Sequence, residues 1–180
     1  MEDQNEESPK ATTMSVGIRY GLIQGVVSIA YFVGLNVAGV DMTQGIGRWA
    51  SLIFSIAIIY LAHKYYKENG DGYMSIGQGT GIGFWMSVVS SVISSIFTFI
   101  YVKYIDTSYI EQIMDKTREG MAAGGSMTDE QIDQAMEMTA KFMTPAMLLI
   151  FGIVFGIIIL VLCALVVSLF TKKNNPALEG

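Results

Sequence analysis

No aspartate or glutamate falls in any of the four long apolar stretches of this chain, residues 16–38, 49–66, 79–104 and 145–170. That absence excludes the usual intramembrane proton relays and cation sites, which depend on carboxylates held at membrane depth. Cysteine is nearly absent: Cys163 stands alone inside the fourth stretch, so no disulfide can form within the chain and the redox compartment cannot be read from it. Histidine is equally scarce. With no cysteine or acid on its face, His63 assembles neither a metal site nor a triad, and it reads as an interfacial side chain beside Lys64. A basic start is missing as well. The opening MEDQNEESPK is acidic, unlike a secretory signal, and the first stretch is longer than a signal core, so it reads as an uncleaved anchor.

What is present is apolar length. The chain is 52% hydrophobic with a mean hydropathy of +0.46, high for a soluble domain. A helix needs roughly 20 mostly apolar residues to cross the hydrocarbon core, and each of the four stretches is near or above that. The fold class expected is all-α: an integral membrane four-helix bundle with an amphipathic helical hairpin between the third and fourth spans. The 180 residues leave room for one membrane domain over 15–172, flanked by a disordered cytosolic tail over 1–14 and a short cytosolic tail over 173–180. The net charge of −5 belongs to the tails and loops and implies no nucleic-acid partner.

If the four helices cross in alternation, Lys10, Arg19, Lys64, Lys67, Lys172 and Lys173 face one side. Basic residues close to short loops favour the cytoplasm, which puts both termini inside a bacterial inner membrane, with Arg19 snorkelling from the first span. Trp49, Tyr65, Tyr66, Phe84, Trp85, Tyr101 and Tyr104 mark headgroup depth at the span ends.

The faces of the helices carry the more specific patterns. Gly17, Gly21, Gly25 and Ser28 lie in one narrow stripe of the first span, with Gln24 among them. Glycines four apart let a second helix approach to backbone contact, and Gln24 is placed to hydrogen-bond across that interface. Gly152 and Gly156, with Cys163 further along, form a similar stripe on the fourth span; Ser51, Ser55 and Ala62 do so on the second. In the third span Gly83, Ser87, Ser90, Ser91, Ser94, Ser95 and Thr98 share one arc, while Trp85, Val88, Val89, Val92 and Ile93 are among those filling the other side. Such a hydroxyl face either packs tightly against a neighbour or lines a narrow wet path. Packing is favoured, because no charged ring or carbonyl filter accompanies it. The run from Gly77 to Gly83 matches no phosphate-cradling motif and is expected to be a flexible, half-unwound entry to the third span. Asn69-Gly70-Asp71-Gly72 before it is a turn signal.

Residues 105–144 lie outside the apolar stretches. Tyr109, Ile110, Ile113, Met114 and Met121 share one helical face, with Glu111, Asp115, Arg118 and Glu119 opposite. Gly120, Gly124 and Gly125 are expected to end that helix. Thr128-Asp129-Glu130-Gln131 is a capping box for a second helix, which Thr144-Pro145 closes or kinks into the fourth span. The methionines here invite a copper(I) reading, but Met136 and Met138 point to different sides of a helix and preorganise nothing, so no metal or cofactor is expected.

Several of these features together resemble one family: the acidic start, Tyr65-Tyr66-Lys67, Gly72-Tyr73 with Ser75-x-Gly77-Gln78, and the outer run Thr117-Arg118-Glu119 through Glu130-Gln131-Ile132 to Met143-Thr144-Pro145. The chain is similar in these to the domain-of-unknown-function 4199 family, four-span membrane proteins of Bacteroidota-type bacteria. The resemblance implies the four-span layout and transfers no catalytic residue. The leading expectation is therefore a non-enzymatic inner-membrane protein, structural or accessory, acting as a homo-oligomer or with a membrane-protein partner in the lipid bilayer. The alternative is a small channel or transporter lined by the Ser87–Thr98 face together with Gln24 and Asn36. No residue is expected to be catalytic.

Overall fold

The computed structural model describes residues 11–40 and 45–176, and within 45–48 the backbone alone. Of the disordered tail expected over 1–14 and the short tail expected over 173–180, residues 1–10 and 177–180 lie outside the described residues. Among the described residues there are six α-helices, one π-helical turn and no β-strand: α1 (Thr13–Val37), α2 (Gly45–Glu68), α3 (Ile76–Ile100) continued by the π turn (Tyr101–Ile105), α4 (Tyr109–Ala123), α5 (Asp129–Phe142) and α6 (Pro145–Thr171).

Side chains at the helix starts explain where the elements begin. The Thr12 side chain accepts from the Ser15 N–H at 3.0 Å, and the Ser15 hydroxyl oxygen accepts from the Thr12 N–H at 3.0 Å. This reciprocal cap satisfies two otherwise orphaned donors. It starts α1 inside the stretch expected to be a tail, and the Ala11 N–H is tied to the Asn69 carbonyl at 3.2 Å. Ser75 and Gln78 make the same box at α3, at 2.7 and 3.1 Å. The glycine run 77–83 is consequently helical from Ile76 onward, not half-unwound. Thr128 and Gln131 close the expected box on α5. Thr144 caps α6 with Pro145 in its first turn, where the missing N–H costs nothing. Gly120 lies within α4, which runs on to Ala123 before Gly124 and the left-handed Gly125 (φ 62°) turn the chain.

Among the described residues, three helices are long and apolar enough to cross a membrane: Thr13–Val37, Ile76–Ile105 and Pro145–Thr171. The four-span expectation is met for these three. α2 is not among them: its last turns carry His63, Lys64, Lys67 and Glu68 amid tyrosines, and the side chains of its first four residues lie outside the description.

α3 is the central helix, clasped on two sides. Against α1 it runs parallel: Gly17 meets Trp85 and Ile82, Gly21 meets Met86 and Val89, and Gly25 meets Ile93. Against α6 it runs antiparallel: Gly79 meets Ser168, Gly83 meets Ala164, Ser91 meets Gly156 and Ser95 meets Gly152. Both interfaces advance in multiples of four residues, the close-packed row of a helix, and both place a glycine wherever two backbones come together. α2 lies antiparallel to α1, with Tyr20 against Tyr65 and Tyr31 against Phe54 at ring-centroid distances of 5.8 and 5.9 Å. Arg19, exposed near the start of α1, stacks its guanidinium 4.6 Å from the Tyr65 ring centroid.

Candidate functional site

The four long helices do not pack equally tightly along their length. In the half nearest the first residues of α1, an apolar core of Val16, Ile58, Ile59, Ala62, Met74, Ile82, Met86, Ala164 and Val167 is closed to solvent. At its end His63 is fully buried and bridges two helices. Its Nε2 lies 3.0 Å from the Gly79 carbonyl of α3, and its Nδ1 lies 2.8 Å from the Thr171 hydroxyl of α6. A carbonyl only accepts, so Nε2 carries the hydrogen. One turn on, Lys67 donates to the Thr171 carbonyl at 2.8 Å. An antiparallel backbone pair, Met74 with Lys173, at 2.9 Å in both directions, ties the α2–α3 loop to the chain after α6. His63 thus carries more than an interfacial position, through partners 16 and 108 positions away in the sequence.

Toward the opposite end the same helices separate around a cavity of about 500 Å³. Its lining comes from all four: Gln24 and Ser28 of α1, Ser51, Leu52 and Ser55 of α2, Ser90, Ser91, Ser94, Ser95 and Thr98 of α3, and Gly152, Gly156, Ile159 and Leu160 of α6. Gln24, Ser55, Ser91 and Gly156 sit near the middle of their helices. From there the lining runs toward the end where the π turn, α4 and α5 connect α3 to α6. Among the described residues none of the lining side chains is charged.

The hydrogen bonds at the cavity leave specific groups over. Ser55 Oγ donates to the Ser51 carbonyl at 2.9 Å, so it can only accept from Gln24, whose Nε2 lies 3.0 Å away. This fixes the orientation of the Gln24 amide. The second Nε2 hydrogen is directed to Ser28 Oγ at 3.3 Å. Gln24 Oε1 has no protein partner, although the residue is only 4% exposed. Ser91 Oγ, on a residue 5% exposed, has none either. Ser87 and Ser90, by contrast, bond back to the Phe84 and Ser87 carbonyls at 2.7 and 3.3 Å, as hydroxyls in apolar helices usually do.

The residues singled out from sequence divide accordingly. Gln24, Ser28, Ser90, Ser91, Ser94, Ser95, Thr98, Gly152 and Gly156 come together at the cavity. Gly17, Gly21 and Gly25 do not; they bear on Trp85, Val89 and Ile93, on the side of α3 away from its hydroxyls. Ser87 is buried below the cavity. The packing stripe of α6 continues through Ala164 and Ser168, and Cys163 lies one residue off it. Packing and cavity lining, set against each other as readings of the serine face, coexist: Ser91 and Ser95 do both.

These features define a class: among the described residues, an all-helical protein whose membrane-span-like helices gather around a cavity of mixed hydroxyl, amide and apolar lining with no charged side chain. The family model for DUF4199, a protein of unknown function, matches residues 19–173, a segment that contains every cavity-lining residue. The chain belongs to the DUF4199 family. No curated protein and no solved structure matches it.

Proposed function

We propose that this chain is a non-enzymatic multi-pass protein of the bacterial inner membrane that admits a small polar solute between its helices, as a small channel or transporter. α2 is the fourth crossing in this reading, completing a four-helix bundle, and both termini are cytoplasmic. The outward side of α2 supports that crossing: Ile53 is 65% exposed, and Phe54, Ile56, Tyr60 and Leu61 are exposed with it, a surface that only lipid or protein would cover.

The observation that carries the function is the cavity between the four long helices, lined at mid-depth by Gln24, Ser55 and Ser91, with no charged side chain among the described lining residues. Polar side chains gathered at membrane depth are costly, and they mark the path of something polar that enters. The competing reading, a structural or accessory subunit, draws on small-residue faces available to a partner. Those of α1 and α6 are both occupied by α3, so they lend it no support.

The test uses a Cys163→Ser background with single cysteines at positions 91 and 94 in intact membranes. A membrane-impermeant thiol reagent should modify both from one side. Complete protection of both would sink the reading.

A further inference from the structure

We infer that a second pocket, at the closed end of the bundle, binds the headgroup of a zwitterionic phospholipid, a phosphodiester carrying a primary ammonium group. The inference rests on the multi-pass part of the reading above and not on the cavity. The pocket has a volume of about 230 Å³, and Asp71, Tyr73, Met74, Gln78 and Lys173 are among the residues that line it. Two membrane-span helices set its depth. α3 begins at Ile76 and α6 ends at Thr171, so the residues just beyond these ends lie at the headgroups when the two helices cross. The antiparallel pair of Met74 with Lys173 locks the two ends together, with the Met74 side chain fully buried. At the same end of α6, Leu169 and Phe170 are 51% and 85% exposed, an apolar surface for the chains of a lipid.

The side chains here call for a ligand with both charges. Asp71 Oδ1 accepts from the Tyr73 N–H at 3.0 Å, which steadies a carboxylate that retains further acceptor capacity. Lys173 holds its ammonium group 5.4 Å from the Tyr73 ring centroid. Among the described residues no ion pair joins Asp71 to Lys173, so neither charge cancels the other. Gln78 Oε1 accepts from the Ser75 N–H at 2.7 Å, which leaves the amide NH2 as the group that faces outward to donate. Lys173 and Gln78 thus offer donors to a phosphate, and Asp71 offers an acceptor to an ammonium group. All three residues are exposed, so a ligand can reach them. A purely anionic headgroup would meet the Asp71 charge with nothing to pair it. A quaternary ammonium has no hydrogen for Asp71 and forgoes the charge-assisted bond.

The test is native mass spectrometry of the full chain released from detergent micelles. The probes are phosphatidylethanolamine, phosphatidylcholine and phosphatidylglycerol with identical acyl chains. Phosphatidylethanolamine should be retained several-fold more than the other two. Asp71→Asn keeps the bond to Tyr73 but removes the charge, and it should erase the advantage over phosphatidylglycerol. Lys173→Gln should lower retention of phosphatidylethanolamine several-fold. Equal unfolding midpoints in detergent check that the variants fold. Should either misfold, Gln78→Glu keeps the helix cap while replacing the donor with an acceptor, and it too should lower retention. Equal retention of phosphatidylethanolamine and phosphatidylcholine, stronger retention of phosphatidylglycerol, or a preference unchanged in the variants overturns the inference. Glycerophosphoethanolamine, the headgroup without its chains, should not compete at equal concentration; competition would assign the site to a soluble ligand and overturn the lipid. None of these results touches the cavity reading, because the two pockets share no residue.

Discussion

Gly83 of α3 rests directly on Ala164 of α6, and a methyl group built on Gly83 would occupy the space of the alanine side chain. The same complementarity recurs along the interface with the roles exchanged. At Ser91 and Ser95 the larger residue belongs to α3 and the glycine to α6, where an added Cβ would come within 2.5 Å of the serine oxygen. In lipid, apolar area offers little drive for helix association, and the attraction comes from close packing over such a surface. The two helices are therefore held by fit.

Fit of this kind makes a paired substitution informative. Gly83→Ala alone should destabilise the protein by about 1–3 kcal/mol through overpacking. Adding Ala164→Gly moves the methyl group to the other helix and should recover most of the loss. The unfolding midpoint in detergent is the measurement. Additive losses in the double variant would count against this register.

The glycines of α1 make a different claim. A leucine at Gly21 would have to displace the Met86 backbone, since even a Cβ there would lie 2.8 Å from the Met86 carbonyl oxygen. Gly21→Leu is expected to separate α1 from α3 within one molecule, giving misfolded or rapidly degraded chains. Were the glycine stripe a contact between copies, the variant would instead give a well-folded protein of lower mass by light scattering.

Much of this architecture was legible in sequence, for physical reasons that differ by element. Three spans announce themselves by apolar length, and the α5 start by its capping box, since both signals are local. The hydroxyl arc on α3 was legible because a periodicity survives in any surroundings. What faces each stripe was not. A helix in lipid is apolar on every side, so α6 shows no polar face from which to read its partner, and Ala164 and Cys163 are equally small candidates until the register is known. The contacts of His63 were hidden for a related reason: its partners are a backbone carbonyl and a threonine 108 positions away, neither of which leaves a mark near it.

His63 should matter to stability. Truncation to alanine removes two bonds between helices and opens a void among fully buried groups, which should cost about 2–4 kcal/mol. Thr171→Val keeps the shape and loses the hydroxyl, so it should cost about 1 kcal/mol. Thermal unfolding of the two variants in one detergent tests the order. Equal effects would mean that the imidazole contributes little beyond the Thr171 bond.

The hairpin of α4 and α5 separates local from electrostatic terms. Thr128 caps α5, and Thr128→Ala should weaken that helix by about 1 kcal/mol and expose the 124–128 turn to limited proteolysis. Arg118 and Asp133 form an ion pair linking α4 to α5, with side chains 52% and 63% exposed. At such exposure a pair contributes at most about 1 kcal/mol, so Arg118→Ala should leave the proteolysis rate nearly unchanged in high salt.

The unequal packing of the two halves predicts a gradient along one helix. Ser87 and Ser94 lie on the same face of α3, two turns apart, yet Ser87 is fully buried beside the apolar core and Ser94 lines the cavity. In the Cys163→Ser background, cysteine at 94 should react with an impermeant reagent applied from the hairpin side, and cysteine at 87 should stay protected from either side. Reaction at 94 from that side alone would establish the closed end as the barrier, since Met86, Ile59 and Ala62 belong to the buried apolar core there. Disrupting that seal should extend access downward: with Met86→Gly, position 87 becomes reactive if the core is the barrier. A protected position 87 in that variant would move the barrier to the His63 and Thr171 layer beyond it, where the imidazole, the Lys67 amine and the α6 carboxyl end converge.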